Sequence, residues 1–340
     1  MSKKIKVLSI DGGGIRGILA GEILATLEKK LQQKSNNPDA RLSDYFDLLV
    51  GTSTGGILTC LYLCPDGTNK NRSRFSARQA VDLYIQNGNN IFKTSFRQKI
   101  VSIDGISEEK YPAKELELLL QKEFNNVKLS QLLKPCLITA YDIFNRNVHL
   151  FAQHDAVKDS SYDYYLRDVA RATSAAPTYF ETALTKSMTG VSYPLVDGGL
   201  FANNPAMCAY AEAIQLFSSI KKRKVTTSDL FLLSIGTGSK KKQYEYDVVK
   251  DWGVLRWMEP ILDIIAVGTS DATDFQLKQL FNSANVSDNY LRINPETGRA
   301  STEMDDASVE NIQALKESGI HSSKKNDMEL ERIAELLLFS

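Results

Sequence analysis

Long apolar runs are missing from this chain of 340 residues, and so is any excess of charge. No stretch approaches the about 18 consecutive apolar residues of a membrane-spanning helix. The N-terminus passes from Lys3 and Lys4 directly into the strand-like Ile5–Ile10, without the longer apolar region of a secretion signal. The expectation is a cytoplasmic protein whose membrane contact, if it has one, is peripheral at the inner face. Lys plus Arg and Asp plus Glu both number 41, so no global field draws in a nucleic-acid polymer. Cys60, Cys64, Cys136 and Cys208 fall in or beside apolar segments, at spacings that fit neither a zinc nor a redox pattern, and read as buried free thiols. Histidine is scarcer still, with only His149, His154 and His321. No Asp, Glu or His cluster has ligand spacing, so no metal is implied, and no cofactor is expected.

What the chain does contain is Gly51-Thr52-Ser53-Thr54-Gly55, directly after the apolar segment Tyr45–Val50 and before the apolar Gly56–Leu63. Strand, sharp turn and helix form the context in which Gly-x-Ser-x-Gly presents a serine nucleophile. Small residues between strand and helix are also common in α/β proteins, so this elbow needs partners before it is catalytic. A serine nucleophile requires a base and an oxyanion stabiliser. Asp11-Gly12-Gly13-Gly14-Ile15-Arg16-Gly17 supplies a candidate for the second. Consecutive glycines expose successive N–H groups on one side, a concave anion site. If the first strand lies beside the Ser53 strand, Gly12, Gly13 and Gly14 converge on the serine, where one lost donor typically costs about 2.7–4 kcal/mol of barrier. Gly12, Gly14 and Gly17 also fit the dinucleotide fingerprint, but that reading expects an acidic residue at the end of the second strand, where Gly51, Thr52 and Ser53 stand.

Histidine is the usual base, yet His149 lies in a strand pattern, His154 in a loop and His321 in a polar C-terminal stretch. Asp197 is better placed, ending the apolar segment Tyr193–Val196 and followed by the turn residues Gly198 and Gly199. A free aspartate is a weak base, so the site must raise its pKa by desolvation. Without Ser53, an ordinary turn is the favoured reading of Asp-Gly-Gly.

Strands alternate with helices, which predicts a mainly parallel sheet covered on both faces. Leu19, Ile23, Leu27 and Leu31 form one apolar helix face. Further helices are expected over 77–86, 114–124, 166–173 and 206–217, and strands over 135–141, 147–151, 193–196 and 230–235. Residues 65–112 read as a substrate-covering insertion or a plain surface excursion. No linker divides the chain: one domain spans 1–340, with the catalytic motifs within 8–240 and a mostly helical part over 250–340.

Taken in order, Asp-Gly-Gly-Gly-x-Arg-Gly, Gly-x-Ser-x-Gly and Asp-Gly-Gly make a pattern that resembles the patatin-like phospholipase family. Ala172–Phe180, Asn203-Asn204-Pro205, Ser234–Gly238, Trp252-Gly253 with Trp257-Met258, and Asp305–Ser308 extend the likeness to its plant-patatin branch and bacterial relatives. The resemblance implies a three-layer α/β/α fold and phospholipase A or lysophospholipase chemistry by a Ser-Asp dyad. In it Ser53 attacks the ester to give an acyl-enzyme, and Asp197 accepts its proton. Gly12, Gly13 and Gly14 hold the oxyanion, with Arg16 as helper or as a brace or lipid-phosphate contact. Thr54 and Gly55 shape the elbow. The substrate implied is a phospholipid or other acyl lipid.

Membrane contact has four candidate segments: 252–265, the aromatics between Phe92 and Tyr111, Lys221–Lys224 and Lys240–Lys242. Core packing or solvated surface are the competing readings for each. The size and motifs are also similar to phospholipase effectors of bacterial antiphage defence switched on by cyclic nucleotides, although no nucleotide site is legible. A catalytically silent lipid-binding protein on the same fold is the alternative of another class.

Overall fold

The computed structural model describes residues 3–92, 111–238 and 243–339. Its eight-stranded sheet runs β5-β6-β3-β2-β1-β7-β8, with β4 also pairing β3. The strands are β1 Ile5–Ile10, β2 Leu48–Thr52, β3 Cys136–Asp142, β4 Asn147–Ala152, β5 Ala183–Lys186, β6 Ser192–Asp197, β7 Leu230–Ile235 and β8 Tyr290–Ile293. β8, β7, β1, β2 and β3 are parallel. The margin formed by β4, β5 and β6 is antiparallel. Parallel order at the centre follows from the helical crossovers between strands.

The long helices are α1 Gly17–Lys34, α2 Thr54–Leu63, α3 Ala77–Ile91, α4 Lys114–Phe124, α5 Leu166–Thr173, α6 Ala206–Lys221, α7 Val254–Ser283, α8 Val309–Lys325 and α9 Asp327–Phe339. β1 is buried along its whole length because helices cover both of its faces. Ile5 and Val7 pack with Ala209, Ala213 and Phe281 from α6 and α7. Leu8 and Ile10 point the other way, into a core with Ile23 and Leu27 of α1 and Leu58 of α2. That alternation is the period-two geometry of a strand between two helical layers, giving the three-layer α/β/α arrangement.

Several elements depart from the sequence reading. The strand expected from Tyr45 begins at Leu48, because Leu42–Tyr45 is a helical turn. Asp44 accepts the Arg41 N–H at 2.8 Å to cap that turn, and Asp47 accepts the Lys6 N–H at 2.8 Å. Local polar side chains override the apolar run there. α3 continues beyond residue 86 to Ile91, its start fixed by the Ser76–Gln79 capping box. β5 and β8 were not foreseen, and β8 makes the C-terminal part more than a helical appendage, since it extends the sheet beside β7.

The 252–265 segment does not pack wholly into the core. Leu277 and Phe281 of α7 are fully buried, whereas Val254, Trp257, Ile261, Ile264 and Ile265 are exposed. Phe92 and Tyr111 stack edge to face with ring centroids 5.4 Å apart, while the residues between them lie outside the described residues, as do Lys240–Lys242. Lys221–Lys224 are exposed, and Arg223 pairs with Asp229 at 2.7 Å. Cys60, Cys64 and Cys136 are buried free thiols, and Cys208 is half-buried. No helix among the described residues is long and apolar enough to cross a membrane.

Candidate active site

Ser53 stands alone between the last residue of β2 and the first of α2, with φ 54° and ψ −122°. A non-glycine residue at positive φ is strained and persists only where its surroundings fix it. Here they do. The Ser53 N–H donates to Thr173 Oγ1 at 2.9 Å, and the Thr173 hydroxyl donates to the Thr139 carbonyl at 2.7 Å. Thr52 donates to the Ala202 carbonyl at 2.6 Å. Thr54 and Tyr84 join hydroxyls at 2.8 Å. A Cβ on Gly55 would strike the carbonyl oxygen of Ile10, so only glycine lets α2 start this close to β1. Gly51 carries the close approach of the strand to the same turn. Thr139 carries no signal beyond its place in an ordinary strand pattern, and Thr173 none beyond its place in the Ala172–Phe180 segment of the resemblance.

Asp197 ends β6, opposite Ala140 of β3, and is 5 % exposed. Burial pushes its carboxyl up to about 6, while donation from the Ser53 hydroxyl and the Gly199 N–H opposes the rise. The Gly199 N–H lies 2.7 Å from Oδ1. Among the described residues no cation acts on this carboxylate, and desolvation is the largest influence on it. The result is a stronger base than free aspartate, facing a serine hydroxyl. Gly198 and Gly199 lead into the helical turn Gly199–Ala202, so the turn itself delivers the N–H that orients the carboxylate.

The glycine-rich turn reaches the same edge because β1 pairs with β2 in parallel, Ile10 opposite Gly51. A Cβ on Gly12 would lie 3.2 Å from Ser53 Cβ and 2.6 Å from Asn203 Oδ1. One expectation is corrected: the Gly12 N–H is not available to an oxyanion, because it donates to the Asn203 carbonyl at 2.9 Å. The N–H groups of Gly13 and Gly14 make no hydrogen bond among the described residues. The turn is braced from outside: the Gly12 carbonyl accepts from Thr237, and the Ile15 N–H donates to the Met304 carbonyl at 2.9 Å. Asp11 receives both arms of Arg292, at 2.6 and 3.2 Å. Arg292 also donates to Ser234 at 2.7 Å and Ser270 at 3.0 Å. It thereby ties β7, α7 and β8 to the start of the turn, a role the sequence did not disclose.

Arg16 Nε donates to the Gly13 carbonyl at 3.4 Å, and its guanidinium makes no ion pair among the described residues. Ser53, Asp197, Gly13, Gly14 and Arg16 line one cavity of about 560 Å³. Its apolar wall comes from Ile57 and Leu61 of α2, Leu83 of α3 and Leu120 of α4. None of the three histidines lines it. His149 packs against Phe151, Tyr164 and Tyr193, His154 pairs with Glu212 at 2.8 Å, and His321 is exposed on α8. Among the described residues no group of His, Cys, Asp or Glu is arranged to hold a metal. Chemically, the site combines a strained serine, a desolvated carboxylate and two free N–H donors on one sheet edge.

A family model described as patatin-like phospholipase matches residues 8–210. A Solanum tuberosum protein named probable inactive patatin-3-Kuras 1 is 34% identical, with 99% of this chain and 93% of that protein covered. Patatin group J-1 from the same plant is 36% identical over 96% of this chain and 85% of its own length. Among solved structures, VipD from Legionella pneumophila aligns over 97% of this chain and 67% of its own, with a TM-score of 0.42 and 12% identity.

Proposed function

This chain belongs to the patatin-like phospholipase family, and we propose that it hydrolyses fatty-acyl esters of membrane phospholipids through a Ser53–Asp197 dyad. The observation that carries the reading is the Asp197 carboxyl, held near 6 by burial beside the Ser53 hydroxyl. One relative bears the name probable inactive, so activity is argued from this chain's own residues.

In the first half-reaction Ser53 Oγ bonds to the ester carbonyl carbon and its proton passes to Asp197. The carbonyl oxygen, now negative, accepts the N–H groups of Gly13 and Gly14, donors worth roughly 10²–10³ in rate each. As the tetrahedral intermediate collapses, the ester C–O bond breaks and Asp197 returns the proton to the departing lysophospholipid oxygen. Water then attacks the acyl-enzyme, giving its proton to Asp197, and the second collapse releases the fatty acid and restores the Ser53 hydroxyl. The apolar wall from α2, α3 and α4 suits an acyl chain. Val254, Trp257, Ile261, Ile264 and Ile265 expose an apolar stripe on α7, beside the Pro260 and Ala266 that line the cavity. That stripe suits peripheral contact with a lipid surface.

The test is release of fatty acid from phospholipid by purified protein, with and without cyclic nucleotides. Ser53→Ala and Asp197→Ala are each expected to lose nearly all turnover, and a variant lacking all three histidines to keep it. Full activity in both dyad variants refutes the mechanism. Lipid binding without turnover under every condition favours a silent binding protein, and turnover only with a cyclic nucleotide favours a ligand-switched effector.

A further inference from the structure

Acyl transfer makes no use of one charged part of the cavity lining: Arg16 comes from the turn that carries Gly13 and Gly14, Asp263 from α7, and Glu303 from the segment after β8, while Asp271 of α7, which has a partner of its own, lines the same cavity. Arg16 is half-buried, whereas Asp263 and Glu303 are exposed at the rim. Neither carboxylate makes a hydrogen bond or ion pair among the described residues. Burial lowers the Arg16 pKa, and the field of Asp263, followed by those of Tyr179 and Glu303, opposes that fall. Both acids thus lie within electrostatic reach of the guanidinium while standing beyond ion-pair distance.

Charge in this part is therefore ordered from inside outward. Free N–H groups stand at the reacting carbonyl, one guanidinium beside them, and the unpaired carboxylates of Asp263 and Glu303 at the exposed margin. A glycerophospholipid with its acyl ester at Ser53 has the same order: ester carbonyl, then phosphodiester, then headgroup. We propose that this part of the cavity selects phospholipids with a zwitterionic headgroup, Arg16 pairing the phosphodiester and Asp263 and Glu303 pairing the terminal ammonium. The inference rests on the reading of the site as a phospholipid acyl hydrolase. Arginine suits the first task because its fork matches phosphate oxygens. Phosphatidylglycerol offers the phosphate but ends in hydroxyls, leaving the two acids without a cation. Diacylglycerol offers neither charge.

The experiment compares kcat/KM of the full chain on phosphatidylethanolamine, phosphatidylglycerol and diacylglycerol with identical acyl chains, in neutral detergent micelles at low salt. Wild type is expected to prefer phosphatidylethanolamine over phosphatidylglycerol, and Asp263→Asn with Glu303→Gln to cut that preference at least about threefold, the scale of exposed charge pairs. Added salt should shrink the wild-type preference, because the Debye length shortens and the exposed carboxylates are screened. Arg16→Gln should depress both phospholipids more than diacylglycerol, and Arg16→Lys should recover part of the loss. Each comparison is a ratio within one variant, so a change in folded fraction or turnover cancels. An unchanged lipid ratio in the double carboxylate variant overturns the proposal, as does a wild type that prefers phosphatidylglycerol. Hydrolysis of none of the three lipids by wild type, or of all three by Ser53→Ala at the wild-type rate, instead sinks the Ser53 acyl-hydrolase reading beneath it.

Discussion

Asp197→Asn is expected to stabilise the protein at neutral pH while abolishing its turnover. The carboxyl ionises near 6 in the folded chain against an ordinary 3.8. The native state therefore holds this proton more tightly than the unfolded state. Between about pH 4 and 6 the native state binds more protons, so stability falls as pH rises through that window and the loss is complete above it. A shift of about two units at 1.36 kcal/mol each amounts to roughly 3 kcal/mol. Asparagine cannot ionise, and its carbonyl can still accept the Gly199 N–H, so the substitution removes that loss and little else. At pH 8 the variant should melt several degrees above wild type, on the scale of about 2 °C per kcal/mol for a chain of this size. At pH 3.5, where both states of the wild type are protonated at this site, the advantage should vanish. Thermal scans at one heating rate across pH 3.5–8 read the effect. Coincident melting at pH 8, or an advantage that does not change with pH, would refute desolvation as the source of the Asp197 shift.

Four further outcomes follow from the same geometry. Asp197 acts as a base only when ionised, so kcat/KM on a soluble acyl ester should rise with pH through about 6 and level above it, as initial rates across pH 4.5–8 would record. Arg292→Met strands the buried Asp11 carboxylate and should cost about 3–5 kcal/mol in denaturant titration, with part recovered when Asp11→Asn is added. Thr173→Val removes the acceptor of the Ser53 N–H and should cost about 1–3 kcal/mol, with a fall in kcat that exceeds any change in KM. Gly55→Ala forces a methyl against the Ile10 carbonyl, and soluble expression with a wild-type melting point would contradict the packing assigned to the elbow.

Much of the site was legible because its signals are local. Gly51 to Gly55 report a strand-to-helix turn by themselves, since only glycine tolerates the approach of Ile10 to α2. The apolar run ending at Asp197 likewise marks a carboxylate at a strand end. With histidine so scarce, that aspartate is the base at hand, and the three histidines stand away from the cavity lining. β5 and β8 are not legible in the sequence because each has four residues, too few for a period-two pattern to emerge. The supports of the site escaped for a different reason. Thr173 meets Ser53 across 120 residues, and Arg292 meets Asp11 across 281, distances over which no local pattern carries information.

Which groups are present can be read along the chain: a serine on a glycine-flanked turn, an aspartate at the end of a strand, and a run of three glycines. Their chemistry belongs to the covalent chain and needs no neighbours to be read. Tertiary structure alone decided how those groups behave. The Asn203 carbonyl arrives from beyond β6 and occupies the Gly12 N–H, which leaves Gly13 and Gly14 as donors. Packing around Asp197 removes water and raises its pKa, because the cost of a charge depends on the surroundings that solvate it.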